Sequence, residues 1–124
     1  MTLEQVMRQK NFVVMGNTVE AGKPAREIKE KLEAYGYTVH AVGKELASLN
    51  DVPGEIDVLD LCIHPAKGLK LLKECKRDFG FVVIQPGAES EELCAWLTEN
   101  GHPYRHGCLL VAMRLYAGER AVWD

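Results

Sequence analysis

The sequence has no long apolar run. Its main apolar stretches, VLDLCI at residues 58–63 and FVVI at 81–84, are far shorter than the ~20 residues that a membrane-spanning helix needs. The opening MTLEQVMRQK also lacks the apolar centre of a secretory signal peptide. We therefore expect a cytoplasmic protein without a membrane partner.

An excess of positive charge is also absent. The 15 Lys and Arg residues are spread through the chain and are outnumbered by 18 Asp and Glu residues, which gives a formal net charge of -3. Such a chain has no broad basic field that would attract nucleic acid. Nucleic acid is therefore not an expected partner.

The spacing of the cysteines matches no familiar motif. The four cysteines, Cys62, Cys75, Cys94 and Cys108, include no CxxC pair. In a chain without a recognisable export signal, such residues are expected to be buried thiols rather than a disulfide framework.

The length and composition are those of an ordinary globular domain. The chain has 124 residues, of which 47% are hydrophobic and 27% charged, and it contains no internal repeat. This is enough chain to bury a core. We expect a single domain over residues 1–124, with its core at about 11–116.

Apolar runs alternate with helical patterns along the chain. Runs that predict strands lie at residues 11–15, 37–42, 57–63, 79–84 and 103–105, with helical patterns before and between them. This alternation predicts an α/β fold: a Rossmann-like three-layer sandwich with a mainly parallel five-stranded sheet, for which we expect the order 3-2-1-4-5. The apolar segment after Gly107 has no clear assignment.

Two Cys and His pairs suggest a zinc site. A Cys₂His₂ set could be assembled from Cys62, His64, His106 and Cys108. In a sheet of the order 3-2-1-4-5, however, the third and fifth strands lie at opposite edges, so the two pairs should not meet. We therefore expect no metal.

The loop after the first apolar run has the composition of an anion-binding site. Its sequence is GNTVEAGK over residues 16–23, and Pro24 then opens a helix. Gly16 permits a sharp turn, and the first N–H groups of the helix carry partial positive charge. Lys23 and Arg26 add full charges, which are unfavourable at a helix N-terminus unless an anion is present. A diphosphate is the expected ligand.

This loop matches neither of the two familiar nucleotide-binding motifs. The next glycine after Gly16 is Gly22, so GxGxxG is absent, and Walker A would need one loop residue fewer and a Ser or Thr after the lysine. The second strand ends in Lys44, which suits a phosphate on the ribose better than a bare diol. Because Glu45 follows directly, NAD(P) stays open as a ligand.

Several segments resemble the CoA-binding domain proteins, which are small stand-alone Rossmann-like domains similar to the CoA-binding domain of the succinyl-CoA synthetase alpha subunit. The resemblance covers roughly residues 11–116. It rests on VVMGNT, KPAREIKEKLEAYGYTVHAV, SLNDVPGEIDVLDLCIHP and IQPGAESEEL, together with the late Cys108. The chain departs from the family pattern after the first glycine, at the end of the second strand and at His64, where the family has a serine, an Asn-Pro and a basic residue.

The resemblance implies coenzyme A or an acyl-CoA as the ligand. Carried over by position, it implies that the diphosphate is held by Gly16, Asn17, Thr18, Lys23, Pro24, Ala25 and Arg26. It places Val42, Gly43 and Lys44 at the adenosine, Ile63, His64 and Pro65 at the adenine, and Gln85, Pro86 and Gly87 at the pantetheine arm. The competing interpretations are structural: a solvated helix start for Lys23 and Arg26, a solvated loop lysine for Lys44, and a plain turn for residues 85–87.

The sequence thus predicts a nucleotide-binding module that binds CoA or a CoA thioester through the first strand-helix loop without catalysis. None of the candidate bases, His64, His102 and His106, lies in a recognisable catalytic motif. Two alternatives stay open: an NAD(P)-binding oxidoreductase or redox-sensing domain, and a ligand-free interaction scaffold. The apolar segment 109–123 is expected to pack on the domain or on a second copy, which would make a homodimer.

Overall fold

The computed structural model describes residues 1–119. The strands are β1 (Asn11–Gly16), β2 (Thr38–Gly43), β3 (Val58–Cys62), β4 (Phe81–Ile84) and β5 (Tyr104–His106). The helices are α1 (Leu3–Met7), α2 (Pro24–Ala34), α3 (Pro65–Glu74), α4 (Glu91–Glu99) and α5 (Leu109–Tyr116), with short 3₁₀ turns at Leu49–Asp51 and Ala117–Glu119. Within this part of the chain, no helix is long and apolar enough to cross a bilayer.

The five strands form one sheet in which every pairing is parallel, in the order β2-β1-β3-β4-β5. The predicted α/β Rossmann-like class is confirmed. The order differs from the predicted 3-2-1-4-5 in one respect, which is that β3 lies in the centre of the sheet beside β1. This difference moves the point at which the strand order reverses, and therefore the expected ligand site.

A carboxylate ahead of β3 fixes this strand to β1. Asp57 accepts hydrogen bonds from the backbone nitrogen of Asn11 at 2.8 Å and from its side-chain nitrogen at 3.0 Å. The backbone nitrogen of Asp57 in turn donates to the Asn11 carbonyl oxygen at 2.9 Å. The connection from β2 contains only a 3₁₀ turn and buries Leu49, Val52 and Ile56 against the sheet as it crosses.

Burial along the strands agrees with this order. In β3, Val58, Leu59 and Asp60 are each 0% exposed, as is usual for a strand covered on both faces. In β2, Thr38 is exposed and Val39 only half-buried, which fits an edge strand.

The sheet separates two apolar clusters. Alternate strand residues such as Val13 and Leu59 pack with α3 and α4, while Phe12 and Val14 pack with α1, α2 and α5. The unassigned apolar segment forms α5, which buries one face against the second cluster through Leu109, Ala112 and Met113. The packing predicted for Val122 and Trp123 lies outside the described residues.

Candidate functional site

A cleft opens where the strand order reverses. From β1, the chain goes to β2 on one side of the sheet, and β3 lies on the other side, so the reversal lies between the carboxyl ends of β1 and β3. The cleft has a volume of about 230 Å³ and is lined by Gly16, Asn17, Gly43, Lys44, Cys62, Ile63, His64 and Lys67. Four groups of ligand-binding residues were predicted, each at the end of a strand. The cleft brings together members of three of them, the groups at the ends of β1, β2 and β3.

Two glycines let the strand ends approach closely. A Cβ on Gly16 would lie 2.2 Å from the carbonyl oxygen of Cys62 and 2.9 Å from the Cβ of Ala25. A Cβ on Gly43 would lie 2.9 Å from the carbonyl oxygen of Gly16. Backbone therefore forms much of the cleft floor, and any side chain at these two positions would displace it.

The cleft carries positive charge. Lys44 and Lys67 line it, and no carboxylate does so among residues 1–119. Both lysines are exposed, and neither ammonium group has a hydrogen-bond or ion-pair partner in that part of the chain. Two unpaired cations in a concave site favour an anionic ligand. Lys67 was not predicted, because its position beside the cleft depends on the central placement of β3.

His64 caps the helix that borders the cleft. Its Nδ1 atom accepts a hydrogen bond from the backbone nitrogen of Ala66 at 3.2 Å, and Pro65 is the first residue of α3. The imidazole therefore satisfies one N–H group at the helix start while its ring forms part of the cleft wall. Ile63, half-buried, forms the wall next to it.

The first loop is ordered by its own polar side chains. Oδ1 of Asn17 accepts from the backbone nitrogens of Val19 at 3.2 Å and Glu20 at 3.1 Å. Thr18 is buried, and its hydroxyl donates to Oε2 of Glu45 at 2.5 Å. Asn17 thus lines the cleft, whereas Thr18 turns toward the loop after β2.

The predicted basic residues of the first loop lie on a different surface. Lys23 and Arg26 line an open depression that shares no residue with the cleft. Arg26 donates to the carbonyl oxygen of Val19 at 2.8 Å and to Glu30 at 2.7 Å, so its charge is already compensated in part. Between them, Pro24 starts α2 in an exposed position and Ala25 is buried beneath Gly16.

The segment after β4, residues 85–87, does not line the cleft. It was expected beside β1, but β3 separates β4 from β1. Gln85 is buried and donates its side-chain amide to Oδ1 of Asp60 at 2.7 Å, while Pro86 and Gly87 are exposed. Val42, predicted at the adenosine, is fully buried in the core and does not line the cleft.

The buried acid Asp60 and the half-buried thiol Cys108 lie close to Cys62, a half-buried thiol that itself lines the cleft. Burial raises the pKa of Asp60 to about 7, although the hydrogen bond from Gln85 acts in the opposite direction. Burial, followed by the charges of Asp60 and Cys108, raises the pKa of Cys62 to about 11. Because the thiolate is the reactive form, Cys62 is a poor nucleophile at neutral pH.

The two Cys and His pairs lie closer together than the predicted strand order implied. Only β4 separates β3 from β5, and Cys108 lies close enough to Cys62 to raise its pKa, so the two pairs are not at opposite edges. Across residues 1–119, no three His, Cys, Asp or Glu side chains are grouped so that they could hold a metal ion. All four cysteines in this range are free thiols.

Comparison with known proteins identifies the family. A family profile described as a CoA binding domain matches residues 10–114. A search of curated proteins found no match. A conserved hypothetical protein from Pyrococcus furiosus is 28% identical, with a TM-score of 0.75 over 83% of this chain and 98% of that one.

Two further solved structures share the fold at lower identity. A hypothetical protein from Pyrococcus horikoshii is 19% identical, with a TM-score of 0.81 over 90% of this chain and 87% of that one. A protein from Thermus thermophilus is 23% identical, with a TM-score of 0.72 over 92% of this chain and 98% of that one. Since the family profile covers most of the sequence, the chain belongs to the CoA-binding domain family.

Proposed function

We propose that this protein binds coenzyme A or a CoA thioester in the cleft between β1 and β3, without transforming it. The observation that carries the proposal is the pair of unpaired ammonium groups, Lys44 and Lys67, in a cleft that no carboxylate of residues 1–119 lines. A phosphate-rich ligand at this place would neutralise both charges. The membership of the chain in the CoA-binding domain family supports CoA as that ligand.

The size of the cleft suggests which part of the ligand it holds. At about 230 Å³ it is smaller than the roughly 300–1,000 Å³ of pockets that enclose a whole ligand. We therefore assign the diphosphate and ribose to the cleft, with the pantetheine arm running over the surface. The close backbone at Gly16 and Asn17 would face the diphosphate, with Lys67 beside it and Lys44 at the ribose end.

The side chains around the cleft support binding rather than catalysis. Among residues 1–119, no histidine is hydrogen-bonded to a serine, threonine or cysteine side chain, so none of these nucleophiles has an adjacent imidazole base. The ring of His64 is engaged as a helix cap. The protein would then act as a carrier, a sensor or a partner subunit.

The four free cysteines support the proposed cytoplasmic location, because such thiols persist in a reducing compartment. The single domain and the homodimer expected from the sequence stay predictions. Sedimentation velocity on the full chain would test the dimer.

Ligand identity is tested first on the protein as purified and then on protein from which any bound ligand has been removed. Mass spectrometry of the denatured purified protein should release CoA or an acyl-CoA. Calorimetry with CoA, acetyl-CoA, NADH and NADPH should then show tighter binding of the two CoA compounds. Preferential binding of NADH or NADPH would favour the oxidoreductase, and binding of none of the four would favour the ligand-free scaffold.

A further inference from the structure

Glu45 stands at the position from which an acid often recognises a ribose, but its carboxylate bonds to two side chains of its own chain. In dinucleotide-binding domains, an acid at the end of the second strand accepts hydrogen bonds from the ribose hydroxyls. Here Oε2 of Glu45 accepts the hydroxyl of Thr18 at 2.5 Å, and the carboxylate lies 3.1 Å from Nζ of Lys29. The carboxylate is therefore occupied by two partners of its own chain.

Both partners of Glu45 are less exposed than the carboxylate itself. Thr18 is only 6% exposed and the Lys29 side chain 22%, whereas the Glu45 side chain is 37% exposed. The hydroxyl of Thr18, and then Lys29, lower the pKa of Glu45 against the opposing effect of burial. The turn that carries Glu45 is closed by hydrogen bonds from Gly43 to Leu46 at 2.7 Å and from Leu46 to Ala41 at 3.0 Å. The loops after β1 and β2 are thereby tied together.

The neighbouring lysine, Lys44, differs from Glu45 in that its charge is offered to the cleft. Lys44 is exposed on the cleft and has no hydrogen-bond or ion-pair partner among residues 1–119. At the end of β2, the charge offered to a ligand is consequently positive. A phosphate monoester on the ribose fits this charge, whereas a bare diol would meet a carboxylate that already accepts from Thr18 and Lys29.

Resting on the proposed function, we propose that Glu45 is a positioning residue that holds the first loop through Thr18, and that its engagement makes the cleft select a ribose bearing a phosphate monoester. Lys44 meets that phosphate. Releasing Glu45 from Thr18 would place a free carboxylate beside Lys44, where it would repel the phosphate and accept ribose hydroxyls instead.

The test compares ligands that differ by one ribose phosphate. Calorimetry with CoA and dephospho-CoA should give the wild type about a tenfold or greater preference for CoA, as expected for loss of one charged hydrogen bond. Lys44→Ala should bring the two affinities close together. Thr18→Val, which removes the hydroxyl and keeps the side-chain volume, should reduce the preference at least about threefold, whereas Thr18→Ser should retain it. NADP and NAD form a second matched pair that shows whether the phosphate position matters.

Each outcome decides a different claim. Equal wild-type affinities for CoA and dephospho-CoA would overturn the selectivity and leave the proposed function standing. An unchanged preference in a folded Thr18→Val variant would overturn the role of Glu45. If that variant does not fold, Lys29→Met removes the other partner of Glu45 and must lower the preference in its place. Binding of neither CoA compound to the wild type would overturn the proposed function itself, together with the selectivity.

Discussion

The side-chain amide nitrogen of Gln85 lies 2.7 Å from Oδ1 of Asp60 in the interior of the protein. Oδ2 of Asp60 has no hydrogen-bond partner among residues 1–119, although the residue is 0% exposed. A buried carboxyl with only one satisfied oxygen favours its protonated form. This residue pair joins the middle of β3 to the end of β4 and should be visible in the pH dependence of stability.

The free energy of unfolding should fall as the pH rises from about 4 to 7. The pKa of Asp60 is about 7 in the folded protein, against an ordinary value of 3.8, so in this window the folded state holds a proton that the unfolded chain has lost. The contribution of Asp60 to stability is fully present below about pH 4. It falls by up to about 1.4 kcal/mol per pH unit as the pH rises, and it is lost once the pH passes 7. Urea unfolding of wild type and Asp60→Asn across this range measures it.

The Asp60→Asn variant should lack this contribution, because an amide does not titrate. It should therefore be more stable relative to wild type at pH 8 than at pH 5. Asp51→Asn, which changes an exposed carboxylate, is the matched control and should keep the wild-type slope. Parallel curves for wild type and Asp60→Asn would show that Asp60 does not titrate in this window.

The lysines of the cleft should contribute more to CoA binding than the basic residues of the first loop. At low salt, Lys44→Ala should weaken CoA binding by about tenfold and Lys67→Ala by about fivefold, and both effects should be smaller at high salt, because exposed charges are screened. Lys70→Ala, an exposed lysine of α3 outside the cleft, should bind normally. A larger loss in the Lys23→Ala/Arg26→Ala double variant than in Lys44→Ala/Lys67→Ala would return the site to the first loop.

Gly16→Ala should destabilise the fold and distort the cleft. The new Cβ would meet the carbonyl oxygen of Cys62 at 2.2 Å, and backbone cannot yield as a flexible side chain can. We expect a loss of about 1–3 kcal/mol, as for other overpacked sites. Gly118→Ala places the same methyl group in open space and should leave the free energy of unfolding nearly unchanged. Equal urea midpoints for the two variants would contradict the close approach of β1 and β3.

Tyr37→Phe should loosen the attachment of α1. The Tyr37 hydroxyl donates to the carbonyl oxygen of Met7 at 2.5 Å in a buried position. Phenylalanine keeps the edge-on contact with Phe12, whose ring centre is 4.9 Å away, but leaves the carbonyl without this donor. A loss of about 1–3 kcal/mol is expected in urea unfolding. Unchanged stability, with unchanged hydrogen exchange in α1, would contradict a structural role for this hydroxyl.

The sequence was sufficient to predict the fold class, because the local signals agree with one another. Five apolar runs alternate with helical patterns, and local signals such as Pro24 at the start of α2 and Ser90 capping α4 mark the helix starts that the structure has. Short-range chemistry determines these features, so they can be recognised without knowledge of the tertiary structure.

The order of the strands depends on long-range contacts and was predicted differently. The contrast between the continuous apolar VLDLC of β3 and the partly polar TVHAVG of β2 was the available signal for a central and an edge strand. Because this contrast was not used to place β3 in the centre of the sheet, Lys67 and Cys62 were not predicted at the cleft. For the same reason, Gln85 was expected at a ligand rather than against Asp60. The contact between Thr18 and Glu45 likewise joins loops that are 27 residues apart.

The central claim is that CoA binds where β1 and β3 end, and amide chemical-shift mapping tests it most directly. Titration of ¹⁵N-labelled protein with CoA should shift the amides of the residues that line the cleft: Gly16, Asn17, Gly43, Lys44, Cys62, Ile63, His64 and Lys67. The amides of Gln85 and Gly87, in the segment on the far side of β3, should change little. Shifts confined to that segment, or no shifts at saturating CoA, would contradict the account.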